Sequence, residues 1–258
     1  MKVRAKVLGC ELDRVDMREA VERCRELIDA ATPAQHVSVN VAKLVALRSD
    51  PRMREIVRAS ELVTADGMPV VWASRLLGDP LPMRVAGIDL MSGLLELAEH
   101  HGYRVYVLGA RAAVLERAIA RIRERHPRLE IVGHGNGYFS DAENDEVVAD
   151  IRAASPHILF VAMSSPRKEY WLADHGRLLA VPFVMGVGGS IDVWAGETKR
   201  APAWMQRTGL EWFYRLLQEP SRMWRRYLFS NALFVWLLVV ALVRRLVSPA
   251  VRPASDRT

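Results

Sequence analysis

Asp66 stands at the end of an apolar run in LVTADGMPVVWASRLLG (residues 62–78), where an Asp-Gly step precedes a helical segment. A carboxylate there has two uses. It can turn the chain or cap the helix by bonding to nearby backbone. In a cleft it can instead act as a general base, placed within reach of the proton it removes. Asn40 closes a second apolar run, VSVN, and Arg84 is an isolated cation in RVAGIDL. Alone, Asn40 reads as a helix cap and Arg84 as a surface charge. With Asp66 they would supply a base, an amide to orient a sugar hydroxyl, and a positive group.

Three loops carry further candidates. GVGGSIDVWAG (186–196) is glycine-rich and follows a buried run. Glycines such as Gly188 and Gly189 let backbone N–H groups approach a phosphate at a helix start. The loop lacks the G-x-G-x-x-G spacing and comes last among the βα units, which argues against a dinucleotide site. HGNGYF (134–139) puts Tyr138 on a loop, either as a core or rim aromatic or as a stacking platform for a nucleobase. SSPRKEYW (164–171) places Lys168 and Glu169 at the start of a helix. They form a solvated first turn, with Glu169 favoured by the helix dipole, or they contact a sugar or phosphate. The chain has no Walker lysine, no D-x-D pair and no His/Cys ligand cluster. Neither a metal nor a cofactor is expected, and side-chain cations must meet any diphosphate.

The elements that hold these residues alternate. Strand-like runs read at Lys6–Leu12, His36–Val39, Leu62–Thr64, Arg104–Leu108, Glu130–Val132, His157–Met163 and Pro182–Val187. Helical patterns read at Met17–Ala31, Val41–Arg48, Pro69–Leu77, Ala112–Arg125 and Pro166–Leu179. Two more are a helix capped by Asp89 that ends near His101 and one from Ser140 to about Ala154. This predicts an α/β fold, Rossmann-like, with a mainly parallel sheet and helices on both faces. Ligands then bind beyond the carboxyl ends of the strands. The loops there are Asn40, Thr64–Gly67, Gly109–Ala110, Gly133–Phe139, Ser164–Pro166 and Gly186–Ser190. After Gly196 the strands stop. The expected division is an α/β catalytic domain (1–196), a basic and apolar helical appendage (197–247) and a flexible tail (248–258).

The 258 residues carry a net charge of +6. Seven basic residues against Glu211 and Glu219 give the stretch from Lys199 to Arg226 a charge of +5, a surface for anionic partners. A nucleic-acid partner is not expected, because the basic run leads straight into an apolar helix. Cys10 and Cys24 have no ligand spacing, and the charged N-terminus has no signal-peptide core, so the body is expected in the cytoplasm. Ala232–Val243 is an unbroken apolar run flanked by Arg222, Arg225 and Arg226 before it and Arg244 and Arg245 after it. It falls short of the roughly 20 residues of a span, so a peripheral or monotopic helix docked on the membrane is expected. A core helix or a homo-oligomer interface is the alternative.

TADGMPVVWASRLLG, RVAGIDL, GYF, SPRKEYW, GVGGSIDVWAG and KRAPAWMQRTGLEWFYRLLQEPSRMWRRYL together resemble the WecG/TagA/CpsF glycosyltransferases, glycosyltransferase family 26. The resemblance implies an inverting enzyme on the cytoplasmic membrane face. It would move a sugar, often of N-acetylmannosamine type, from a UDP-sugar to a polyprenyl-diphosphate-linked saccharide. Asp66 matches the implied base. Ser38-Val39-Asn40 matches the family's Thr-x-Asn, and Arg84 its arginine. Tyr138 and Asp192 match positions that face uracil. Arg215, Arg222 and Arg225 or Arg226 match arginines that reach the diphosphates. Lys168 replaces a glutamine of the family's Pro-x-Gln-Glu, which leaves a neutral hexose such as glucose, or a sugar acid, open as the donated sugar. A nucleic-acid-binding protein and a nicotinamide oxidoreductase are the rival readings from other classes.

Overall fold

The computed structural model describes residues 4–218 and 220–247, without the side chains of residues 222, 223 and 225–227. Six strands form one parallel sheet: β3 (Ala34–Val39), β4 (Leu62–Ala65), β5 (Val105–Gly109), β6 (Ile131–Gly135), β7 (Ile158–Ala162) and β8 (Phe183–Gly186). Their order is β4-β3-β8-β7-β5-β6. A hairpin of β1 (Arg4–Val7) and β2 (Cys10–Asp13) stands apart from this sheet. The helices are α1 (Met17–Asp29), α2 (Val41–Ala46), α3 (Pro51–Ala59), α4 (Met68–Leu76), α5 (Gly87–His101) and α6 (Ala112–Arg125). They continue with α7 (Asn144–Ala154), α8 (Arg167–Leu179), α9 (Ser190–Trp194), α10 (Ala203–Arg207), α11 (Glu211–Gln218) and α12 (Pro220–Val247).

The strands are apolar on both faces because both are covered. Val105, Val107, Ile158, Phe160, Phe183 and Met185 face one core with α1, α5 and α6. The residues between them, Tyr106, Leu108, Leu159, Val161 and Val184, face a second core with α7 and α8. A third core joins the hairpin, β3, β4, α2, α3 and α4 to Phe234 of α12. The period of two sends alternate side chains to opposite layers.

Several boundaries differ from the sequence expectation. Lys6–Leu12 is two strands, because Leu8 (φ 48°) and Gly9 (φ 87°) make a two-residue turn. β6 runs on through Gly133 and Gly135, which were expected in a loop; a Cβ on Gly133 would lie 2.5 Å from the Tyr106 ring. Asp89 does not cap α5. Ala86 holds that position, and Asp89 lies in the first turn. Ser140 caps a short 3-10 turn at Asp141–Glu143 that leads into α7. α3 was not foreseen, although Asp50 caps it and Pro51 opens it.

The C-terminal helix is longer than its central run. Leu228–Val247 is long and apolar enough to cross a membrane, by length and composition, with a mean hydropathy of 1.8. It nevertheless packs along α2, with Ser230 and Phe234 buried and Leu238 against the same core. Arg245 Nη1 reaches back to donate to the Leu76 carbonyl at 3.3 Å. Its outer face exposes Phe229, Leu233, Trp236 and Val243. The expected tail, 248–258, lies outside the described residues.

Candidate active site

Register brings the first polar residues together. β3 and β4 run parallel with Ser38 beside Thr64 and Val39 beside Ala65. Residues two apart share a face, so His36, Ser38, Thr64 and Asp66 point the same way. Ser38 Oγ donates to Asp66 Oδ2 at 3.1 Å, and the Asp66 amide donates to the Val39 carbonyl at 2.9 Å. Asp66 therefore ends β4 with its carboxylate fixed and partly exposed. It does not cap α4, whose first turn has no side-chain cap.

Arg84 sits next to it. The Val85 amide donates to the Ala65 carbonyl at 2.8 Å, which pins the Arg84 loop beside the end of β4. Arg84 Nη2 donates to Gln206 Oε1 at 2.8 Å, and Nη1 donates to Glu211 Oε2 at 3.2 Å. Arg200 grips Asp89 with contacts of 2.5 and 2.6 Å. The stretch from Arg200 to Glu211 is thus tied to the Asp66 region by four polar contacts between three residue pairs. Burial, and then the neighbouring Asp66 charge, push the Glu211 carboxyl up, against the pull of Arg84, Arg200 and Arg215.

The glycine-rich loop follows β8. A Cβ on Gly189 would lie 3.5 Å from Asp192 Oδ2 and 3.7 Å from Arg215 Nη2, so these two side chains flank the loop. A Cβ on Gly188 would lie 3.8 Å from Lys168 Nζ. α9 begins at this loop and α5 begins near Ser38, neither with a side-chain cap. Arg84, Arg200 and Arg215 therefore gather at this end of the sheet, a setting for anionic ligands.

Lys168 and Glu169 are not on a solvated turn. Both are buried, at 9% and 2% exposure. Glu169 Oε1 accepts from Lys43 Nζ at 2.8 Å and lies 2.9 Å from Lys168 Nζ, so one carboxylate serves two ammonium groups. Its Oε2 accepts no hydrogen bond among the described residues. Burial pushes this carboxyl up, but Lys43 and Lys168 outweigh it and hold it well below the usual range. These three residues, with His36, Ser38 and Gly186, line a small cleft. His36 Nε2 lies 2.9 Å from Thr64 Oγ1, and burial, aided by Lys43, lowers the imidazole to about 3. His36 is therefore neutral at physiological pH.

Other expected residues are placed differently. The Asn40 side chain accepts from the Lys43 amide at 3.0 Å and caps α2, which is the bland reading of that residue. Tyr138 is 64% exposed on the loop after β6, the far edge strand, away from Asp66. Its loop reaches inward through Gly137, where a Cβ would lie 2.6 Å from the Gly109 Cα. Arg222, Arg225 and Arg226 belong to α12, but their side chains lie outside the described residues. Lys43, Asp89, Arg200, Gln206 and Glu211 were not foreseen as site residues. Among the described residues, no group of three His, Cys, Asp or Glu side chains gathers as for a metal ion. A groove of about 670 Å³ lies at the strand starts between Asp13, Glu61 and α1. Its lining alternates in charge and pairs internally, as Arg23 does with Glu26, which marks a solvated face.

Sequence comparison adds three relatives and a family. The family model described as "Glycosyl transferase WecG/TagA/CpsF family" matches residues 5–248. A protein of Bacillus spizizenii (strain W23) is 38% identical over 179 residues, 69% of this chain and 68% of the relative. One from Bacillus subtilis (strain 168) is 34% identical over 204 residues, 79% and 78% of the two chains. One from Staphylococcus aureus (strain MW2) is 30% identical over 246 residues, 95% and 94%. All three are named N-acetylglucosaminyldiphosphoundecaprenol N-acetyl-beta-D-mannosaminyltransferase.

Proposed function

The chain belongs to the WecG/TagA/CpsF family of glycosyltransferases, and on that footing we propose that it transfers an N-acetylmannosamine-type sugar from UDP to a polyprenyl-diphosphate-linked N-acetylglucosamine. Asp66 removes the proton of the acceptor hydroxyl as its oxygen attacks the anomeric carbon. The bond from that carbon to the β-phosphate oxygen breaks, UDP leaves, and configuration inverts. Ser38 holds the carboxylate in place. Negative charge grows on the β-phosphate, where the permanent charge and planar fork of arginines such as Arg84 and Arg215 stabilise it. Holding donor and acceptor together supplies much of the remaining rate.

The observation that carries this reading is the fixed, partly exposed Asp66 carboxylate beside arginines and a glycine-rich loop at the carboxyl end of the sheet. The apolar outer face of α12 and its terminal Arg244 and Arg245 suit the cytoplasmic surface of a membrane, where the lipid-linked acceptor is found. The segment 197–247 then acts as an appendage that closes over the substrates. A second reading, a sugar acid as donor, is favoured by the Lys168 ammonium near Gly188. The test is to incubate lipid-linked N-acetylglucosamine with a panel of UDP-sugars and follow UDP release. UDP-N-acetylmannosamine should turn over fastest. A preference for a UDP-uronic acid would select the second reading, and no UDP release with any donor would overturn both.

A further inference from the structure

One carboxylate near Asp66 meets the guanidinium of Arg84 and feels the charges of two more arginines. Glu211 accepts from Arg84 at 3.2 Å, and the charges of Arg200 and Arg215 act on the same carboxyl. Arg215 also flanks Gly189, and Arg200 has a buried Nε–H that no described residue accepts. Among the described side chains, Asp66, Asp89, Asp192 and Glu211 stand against Arg84, Arg200 and Arg215. A diphosphate adds at least two negative charges, so its binding improves if a carboxylate yields.

Of these carboxylates, Asp66 is anchored by Ser38, Asp89 meets Arg200 with both oxygens, and Asp192 lies against Gly189 beside Arg215. Glu211 comes from a separate helix and joins the cluster through its one 3.2 Å bond to Arg84. Burial and Asp66 also disfavour its charged form despite three nearby arginines. We infer that the position of the Glu211 carboxylate is an anion subsite, where a substrate phosphate replaces it on Arg84, Arg200 and Arg215 while Glu211 moves aside. The inference rests on the diphosphate chemistry proposed above. The phosphate belongs to the nucleotide or to the lipid-linked acceptor.

Calorimetry on the full chain tests it with three probes: inorganic pyrophosphate, UDP, and a short-chain polyprenyl-diphosphate N-acetylglucosamine. Glu211→Gln keeps the size and removes the charge. It should bind pyrophosphate about fivefold more tightly, roughly the worth of one ion pair. A matching gain with UDP assigns the subsite to the donor, and a gain with the lipid analogue assigns it to the acceptor. Equal or weaker pyrophosphate binding would overturn the inference, because a residue that merely props up Arg84 gives that sign. Arg200→Gln should weaken pyrophosphate binding by a similar factor and decides the matter if Glu211→Gln does not fold; unchanged binding in Arg200→Gln counts against the subsite. A gain with pyrophosphate alongside no transfer from any UDP-sugar would keep the subsite and discard the glycosyl-transfer reading.

Discussion

Ser38 holds the carboxylate of Asp66 from the adjacent strand, 28 residues earlier in the chain, through a 3.1 Å bond. The bond engages Oδ2, and Oδ1 is the oxygen proposed to meet the acceptor hydroxyl. Asp66→Asn keeps this geometry and removes the basicity. Turnover should fall on the order of a hundredfold or more, with UDP affinity within about twofold of the parent. Near-normal turnover would return Asp66 to a turn residue.

One buried carboxylate shared by two lysines makes an asymmetric prediction. Glu169→Gln strands two buried ammonium groups and should destabilise the fold by about 3–5 kcal/mol. Lys43→Met leaves the Lys168–Glu169 contact in place and should cost less. Urea midpoints compare the two. A larger loss for Lys43→Met would show that Lys168 is not an effective partner.

His36 gives the fold an acid-sensitive element. Its folded value is about 3, below the roughly 6.5 of the unfolded chain. The unfolded state therefore takes up a proton first on acidification, and stability is lost as pH falls from about 6.5 towards 3. Each pH unit in that window removes about 1.4 kcal/mol from this group alone. Denaturation at pH 6, 5 and 4 should approach that slope, and His36→Gln should flatten it. An equal slope in the variant would assign the loss to other groups.

The two faces of α12 should separate in experiment. Phe234 is buried, so Phe234→Ala should cost about 3 kcal/mol or more. Trp236 is 59% exposed, so Trp236→Ser should change stability by less than about 0.5 kcal/mol. It should, however, weaken partition onto vesicles containing anionic lipid. Loss of stability in Trp236→Ser with unchanged vesicle binding would mean that this face is covered by protein.

The sheet was legible because two-sided burial leaves near-continuous apolar runs, such as Ile158–Ala162, between helical periods. Asp66 was legible from its place at the end of such a run. What escaped was long-range pairing. Lys43 sits in VAKLVA, where a lone lysine in an apolar helix signals a buried partner, but nothing local names Glu169, 126 residues on. Glu211 entered only as a charge subtracted from a basic segment, and its meeting with Arg84 depends on how α11 docks. The turn at Leu8-Gly9 was missed because leucine rarely takes a positive φ.

Gly186 constrains the history open to this site. The stem of Lys168 crosses it, so a Cβ at 186 would lie 2.7 Å from Lys168 Cε and 2.8 Å from Cδ. Mutational paths through the two positions are therefore ordered. A descendant that gains alanine at 186 first must displace a buried ammonium, whereas one that shortens residue 168 first opens the space beforehand. Gly186→Ala should accordingly cost less in a Lys168→Ala background than in the parent, a coupling on the order of 1 kcal/mol in a double-mutant cycle. Strict additivity would remove the ordering. With it, alanine at 186 is better tolerated once the lysine is lost.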